Sequence, residues 1–122
     1  MSSDLIEKAK ELGRQLAQAP EFQALEAARR EVENRAAAKL MYEDFGKKQA
    51  ELEGRRAKGQ PIPDEQMKAF EAAGNLLMNH GPTRNLLMAE FAFVQLMNEV
   101  QRALGGEVGI AVPELPGAEE GQ

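Results

Sequence analysis

Residues Pro82 to Leu104 read PTRNLLMAEFAFVQLMNEVQRAL. Beyond the opening proline no Gly or Pro interrupts them, so nothing in this stretch breaks a helix. At 100° per residue, Leu86, Leu87, Ala89, Phe93, Val94, Leu96, Met97, Val100 and Leu104 spread over about half of the helix circumference. Met88 and Phe91 fall outside that half. A helix with a single neighbour needs an apolar stripe of roughly 100°. This segment is too apolar for that. It is predicted to lie at the centre of a helical bundle, or to pack on helices of its own chain and on a second chain. Leu87, Met88, Phe91, Val94 and Met97 are the candidate contacts for such a partner.

One acid interrupts the apolar face. Glu90 projects between Val94 and Met97, and a lone ionised carboxylate there is costly unless paired. The plain reading is a structural ion pair or hydrogen bond to a neighbouring helix. The functional alternative is a ligand or catalytic carboxylate, which needs converging His, Cys or carboxylate partners. The sequence supplies few.

Working back from this helix, Asp64 to about Asn79 reads as another, with Met67, Phe70, Leu77 and Met78 as its buried face and Ala73 and Gly74 as small contacts. Asp64 is its expected cap, and His80-Gly81-Pro82 ends it and opens the next. KGQPIP, residues Lys58 to Pro63, is the clearest loop. Ala36 to Arg56 carries Leu40, Met41, Phe45 and Leu52 on one face; Gly46 and Gly54 either weaken it or admit a close neighbour. Asn34 is a candidate cap there, although one rod from Pro20 to Arg56 is equally consistent with the pattern. Asp4 to Gln18 forms the first helix, capped by Ser2, Ser3 or Asp4, and Ala19-Pro20 separates it from a helix carrying Phe22, Leu25 and Val32. No region shows strand alternation. The expected fold is all-α: an antiparallel bundle of four to five helices, oligomeric, over residues 1–104. GGEVGIAVPELPGAEEGQ, residues 105–122, is predicted to be a flexible acidic Gly/Pro-rich tail.

Composition narrows the chemistry. With 5% aromatics and no Trp, a 122-residue chain has a lean core of Leu, Ala and Met, which favours oligomerisation. Its six methionines are expected as core filler or as an adaptable partner-binding surface. The absence of Cys excludes disulfides, thiolate metal sites, iron–sulfur ligation and Cys nucleophiles. No signal peptide or membrane-spanning run is visible, so a cytoplasmic location is expected. Net charge is −5, and the four glutamates after Arg102 account for −4, leaving a nearly neutral folded part. Direct nucleic-acid binding is not the default for such a surface. Arg55, Arg56 and Lys58 form the one basic cluster, read as solubilising or, alternatively, as a contact for RNA or an acidic partner. His80, the single histidine, sits where a helix dipole favours it; paired with Glu90 it is the only seed for a small enzyme. No HExxH, GxGxxG or GxxxxGK[ST] occurs.

Three segments together carry a family likeness. IEKAKELGRQLAQAPEFQALEAARREVENRAAAKLMYEDFGKKQAELE contains a short helix, a break before an acidic-aromatic pair, a Leu/Val-bearing helix and a helix ending with Phe45 and Gln49. PIPDEQMKAFEAAGNLLMNHGPTRNLL is the prolyl loop and helix, and Ala89-Glu90 precedes FAFVQLMNEV in the last helix. In this order and spacing, over about Leu5 to Leu104, the chain resembles the YlbF/YmcA family of small bacterial helical proteins, which includes YheA-like members. The resemblance implies an all-α fold, self-association and a cytoplasmic regulatory role without catalysis. It also implies a partner in the RNA-decay machinery, since proteins of this type act in a complex on the endoribonuclease RNase Y and influence competence, sporulation and biofilm formation. Some such complexes hold iron–sulfur clusters through cysteines. This chain has none, so no cofactor is expected. The leading expectation is a non-enzymatic adaptor that forms a homo-oligomer, a dimer or higher, and binds a protein partner.

Overall fold

A computed structural model describes residues 2–115. Among them are five α-helices and no strand: α1 (Ser2–Ala17), α2 (Pro20–Glu33), α3 (Ala36–Ala57), α4 (Asp64–Met78) and α5 (Gly81–Val108). The fold is all-α, as the apolar spacing predicts. The chain divides into two compact units, one of Ala28–Leu87 and one joining Met1–Ala27 to the chain from Met88 onward. The divisions fall inside α2 and α5.

In the unit of Ala28–Leu87, α3 and α4 pack together as a hairpin. The loop between them follows from one glycine. Gly59 takes the left-handed conformation, φ 69°, and its N–H donates to the Arg56 carbonyl while that of Gln60 donates to Arg55. This is the glycine-terminated cap that closes a helix by satisfying its last carbonyls. Phe45 of α3 stacks on Phe70 of α4, centroids 5.0 Å apart. Phe45 also lies 3.4 Å from where a Cβ on Gly74 would stand, so Gly74 is the close-approach residue. Gly46 and Gly54 face open space and admit no neighbour. Ala38, Leu52, Ala73 and Leu77 are buried in the hairpin, and Val32 and Leu86 are buried on the flanking helices.

The helix boundaries correct two expected caps. α2 and α3 are separate helices, and the N-cap position of α3 is held by Arg35 in extended geometry, not by Asn34. Asn34 instead sends its N–H back to Arg30 at the end of α2, and the Arg35 guanidinium pairs with Glu31 at 2.8 Å. Pro63 holds the N-cap position of α4, and Asp64 becomes its first residue. The carboxylate still lies against the positive end of the helix dipole there. Buried Thr83 supports the junction between α4 and α5: its hydroxyl lies 2.7 Å from the Leu77 carbonyl and 3.1 Å from that of His80.

In the other unit, Pro20 opens α2 as expected, and the Gln23 side-chain amide donates to the Ala17 carbonyl left over at the end of α1. Phe22 of α2 meets Phe93 of α5 at 5.4 Å in a tilted pair. The last helix corrects a boundary too. α5 does not stop at Leu104 but continues through Gly105 and Gly106 to Val108. Gly109, Ile110 and Leu115 then make hydrogen bonds to Gly105 and Asn98 of α5. Residues 116–122 lie outside the described residues.

Candidate interaction site

The five candidate contacts all lie on α5. By helical geometry Leu87, Phe91 and Val94 fall within about 60° of one another, with Met88 and Met97 to either side. Met88 is 58% exposed, and Leu87, Phe91, Val94 and Met97 are half-buried. Of the nine apolar residues assigned to the core-facing half of this helix, only Leu86 is fully buried, and Leu104 is exposed. The apolar half of α5 is thus only partly covered.

The same shortfall is larger on α1. That helix places Leu5, Leu12, Leu16 and Ile6 at amphipathic spacing, yet it has no buried residue. Leu12 and Leu16 are half-buried, whereas Leu5 and Ile6 are 68% and 55% exposed. The methionines follow suit. Met41, Met67 and Met97 are half-buried and Met78 and Met88 are exposed, so none of these five is fully buried. Of the seven fully buried apolar residues among those described, six belong to Ala28–Leu87 and only Leu25 to the other unit. Seven of the ten large exposed apolar side chains belong to that other unit.

The polar candidates are placed as follows. Glu90 is half-buried and engaged in an interaction. His80 is half-buried just beyond α4, with its Nε2 enclosed and lacking a hydrogen-bond partner among the described residues. Glu90 lies on α5, whereas His80 precedes that helix. Arg55 is half-buried and turns back on its own loop, where Nη1 donates to the Pro61 carbonyl at 3.3 Å. Arg56 and Lys58 remain exposed. Among the described residues, no group of three His, Cys, Asp or Glu is placed to hold a metal ion, and no helix is long and apolar enough to cross a membrane.

Two buried polar residues were not singled out by sequence: Thr83 and Asn98. Asn98 carries the more informative contact. Its Nδ2 donates to the Leu115 carbonyl at 3.2 Å and its Oδ1 accepts the Leu115 N–H at 2.7 Å. One turn further on, Arg102 Nε pairs with Glu114 Oε1 at 2.5 Å. The hydrogen bond and charge of Arg102 hold the Glu114 carboxyl below the ordinary carboxylate range, and Glu114 raises the Arg102 guanidinium in turn. The available signal was Asn98 itself, set between Met97 and Val100 in the apolar run of α5, a residue that needs partners if buried.

Comparison with known proteins adds the following. Residues 5–108 match a family described as control of competence regulator ComK, YlbF/YmcA. A UPF0342 protein of Symbiobacterium thermophilum is 30% identical over 109 residues, 89% of this chain and 97% of that protein. A UPF0342 protein of Halothermothrix orenii is 27% identical over 110 residues, 90% and 93% of the two chains. A solved structure of a protein of unknown function (DUF964) from Bacillus stearothermophilus shares the fold with a TM-score of 0.82 at 20% identity, covering 87% of this chain and 93% of that one.

Proposed function

The chain belongs to the YlbF/YmcA family, described by its control of the competence regulator ComK, and on that premise we propose that it is a non-enzymatic adaptor that associates with itself and with a protein of the RNA-processing or developmental machinery. The observation that carries this reading is the uneven burial. The unit containing α1 and most of α5 holds one of the seven buried apolar residues and most of the exposed ones. Leu5, Ile6 and Met88 contribute to the interface, with Leu87, Phe91, Val94 and Met97 closing further on contact.

Magnitudes set what the interface requires. Fully burying one large apolar side chain contributes about 1.5–3 kcal/mol. Leu5, Ile6 and Met88 from two copies, each a little over half exposed, supply about 5–11 kcal/mol on that scale. Association costs about 4–15 kcal/mol in lost freedom. These three residues alone therefore make a marginal dimer, and the half-covered α5 residues provide the surplus.

Sedimentation velocity tests the self-association arm. The wild-type chain is expected as a dimer or larger species, and the triple substitution Leu5→Glu, Ile6→Glu, Met88→Glu as a monomer with unchanged helical circular dichroism. A wild-type chain that stays monomeric to the highest soluble concentration defeats this arm. Affinity purification from the native cell tests the other: co-purification of an RNA-decay factor, lost in the triple variant, is the expected result. Recovery of no protein partner sinks the adaptor role.

A further inference from the structure

The C-terminal end of α5 holds a segment of its own chain in a way that resembles ligand binding. Gly109, at φ 85°, reverses the chain after Val108, and the N–H groups of Gly109 and Ile110 both donate to the Gly105 carbonyl, at 2.7 and 3.1 Å. The chain then returns over Gly105. A Cβ at that position would stand 2.6 Å from the Ile110 carbonyl oxygen, so only glycine admits this path. Farther along, Asn98 engages both main-chain groups of Leu115, and Arg102 engages the carboxylate of Glu114.

What is read is as telling as what is not. Asn98 takes one N–H and one C=O from a single residue, the pair that a neighbouring strand offers. The Leu115 side chain is exposed. A cavity of about 370 Å³ remains beside Gly106, Ala111 and Val112, so the segment is held at its turn and its clasp and is not closely packed along its length. Asn98 is 0% exposed. If the segment leaves, the Asn98 amide loses a donor and an acceptor together, and water or another main chain must replace them.

We propose that Asn98, Arg102 and Gly105 form a binding site for an extended peptide of another protein, one with an acidic residue followed by a residue bearing a free backbone N–H, and that residues 110–115 occupy this site in cis as a built-in competitor. The pattern is apolar-Pro-acidic-apolar, after Val112, Pro113, Glu114 and Leu115. Arg102 selects the acid, Asn98 selects the extended main chain, and Gly105 leaves room for the backbone to cross. The site is independent of self-association, so a monomeric chain passes or fails the following test on its own terms.

The probe is a fluorescent, end-blocked peptide copying residues 110–116, titrated into full-length protein by anisotropy. Leu115→Pro removes the N–H that Asn98 accepts and leaves α5 untouched. It is expected to bind the peptide at least about tenfold more tightly than wild type, whose tethered segment competes at high effective concentration. Adding Arg102→Glu to that variant is expected to weaken binding about fivefold or more, and a peptide with Lys in place of Glu114 to restore it, the signature of a direct charge contact. Circular dichroism checks that each variant keeps its helices. No binding to the Leu115→Pro variant, or binding equal in wild type and both variants, overturns the proposal.

Discussion

The α3–α4 hairpin and helix α1 both carry large apolar side chains at helical spacing, and those side chains have opposite fates. In the hairpin, Leu52 and Leu77 are buried, and Phe45 finds Phe70 across a six-residue connection. In α1, Leu5 and Ile6 find nothing to cover them. The difference is one of supply. A hairpin brings its own partner through a short loop, at small entropic cost. α1 draws on residues at the far end of the sequence. An apolar stripe therefore announces a contact without saying whether the contact lies in the same molecule.

Substitution of Leu77, fully buried on α4, is the strongest way to break the comparison. Leu77→Ala is expected to cost about 2–5 kcal/mol in urea denaturation. A loss below about 1 kcal/mol would mean that the hairpin is no better packed than α1. The paired changes Gly74→Ala and Gly105→Ala come next. Each adds up to about 1 kcal/mol of helix propensity. At Gly74 the new methyl group meets the Phe45 ring at a tolerable distance, so thermal stability should rise. At Gly105 it meets a backbone oxygen, so amide exchange at Ile110 and Leu115 should quicken even as the helix gains. Leu5→Glu is the next smallest in its effect on folding. It is expected to change the unfolding free energy by less than about 0.5 kcal/mol, as for an exposed site, while reducing oligomer content in sedimentation.

Acid has the mildest effect. Glu114 has its carboxyl held down by Arg102, with Glu99 the other charge acting on that guanidinium. A group depressed in this way supports the docked segment above its undocked value, and that support is lost as pH falls through the docked value. The Leu115 amide signal should therefore move toward its free position below the ordinary carboxylate range. Glu114→Gln should remove the pH dependence. Because the pair is exposed, the helices themselves should be unaffected.

Three of the four helix boundaries were legible because Pro20, the Pro-rich loop and Gly81-Pro82 punctuate strongly periodic segments, whereas no Gly or Pro marks the break between α2 and α3, which the pattern left open. The cap positions were less so. Asn34 and Asp64 have the right chemistry one residue from the right place, and the neighbouring backbone geometry decided between them and Arg35 or Pro63. The end of α5 misled for a clearer reason. Gly105 and Gly106 are poor helix formers in isolation, but here the first glycine accepts a returning chain that a side chain would block. Composition registers the weakness of such residues and is blind to the contact that uses them. Exposed Met88 on α5 was named as a partner contact, whereas Leu5 and Ile6 were not, because helical spacing looks the same whether a face is covered or open.

Because Asn98 grips the polypeptide and not its side chain, the clasp depends on spacing more than on spelling. Changing Leu115 to another residue with an N–H leaves both hydrogen bonds available. Inserting a single glycine between Gly109 and Glu114 would advance the register by one, presenting Glu114 to Asn98 and Pro113 to Arg102. A one-residue insertion or deletion can therefore do more harm there than several substitutions, and any graft of this segment onto another protein must carry its distance from the turn along with its letters.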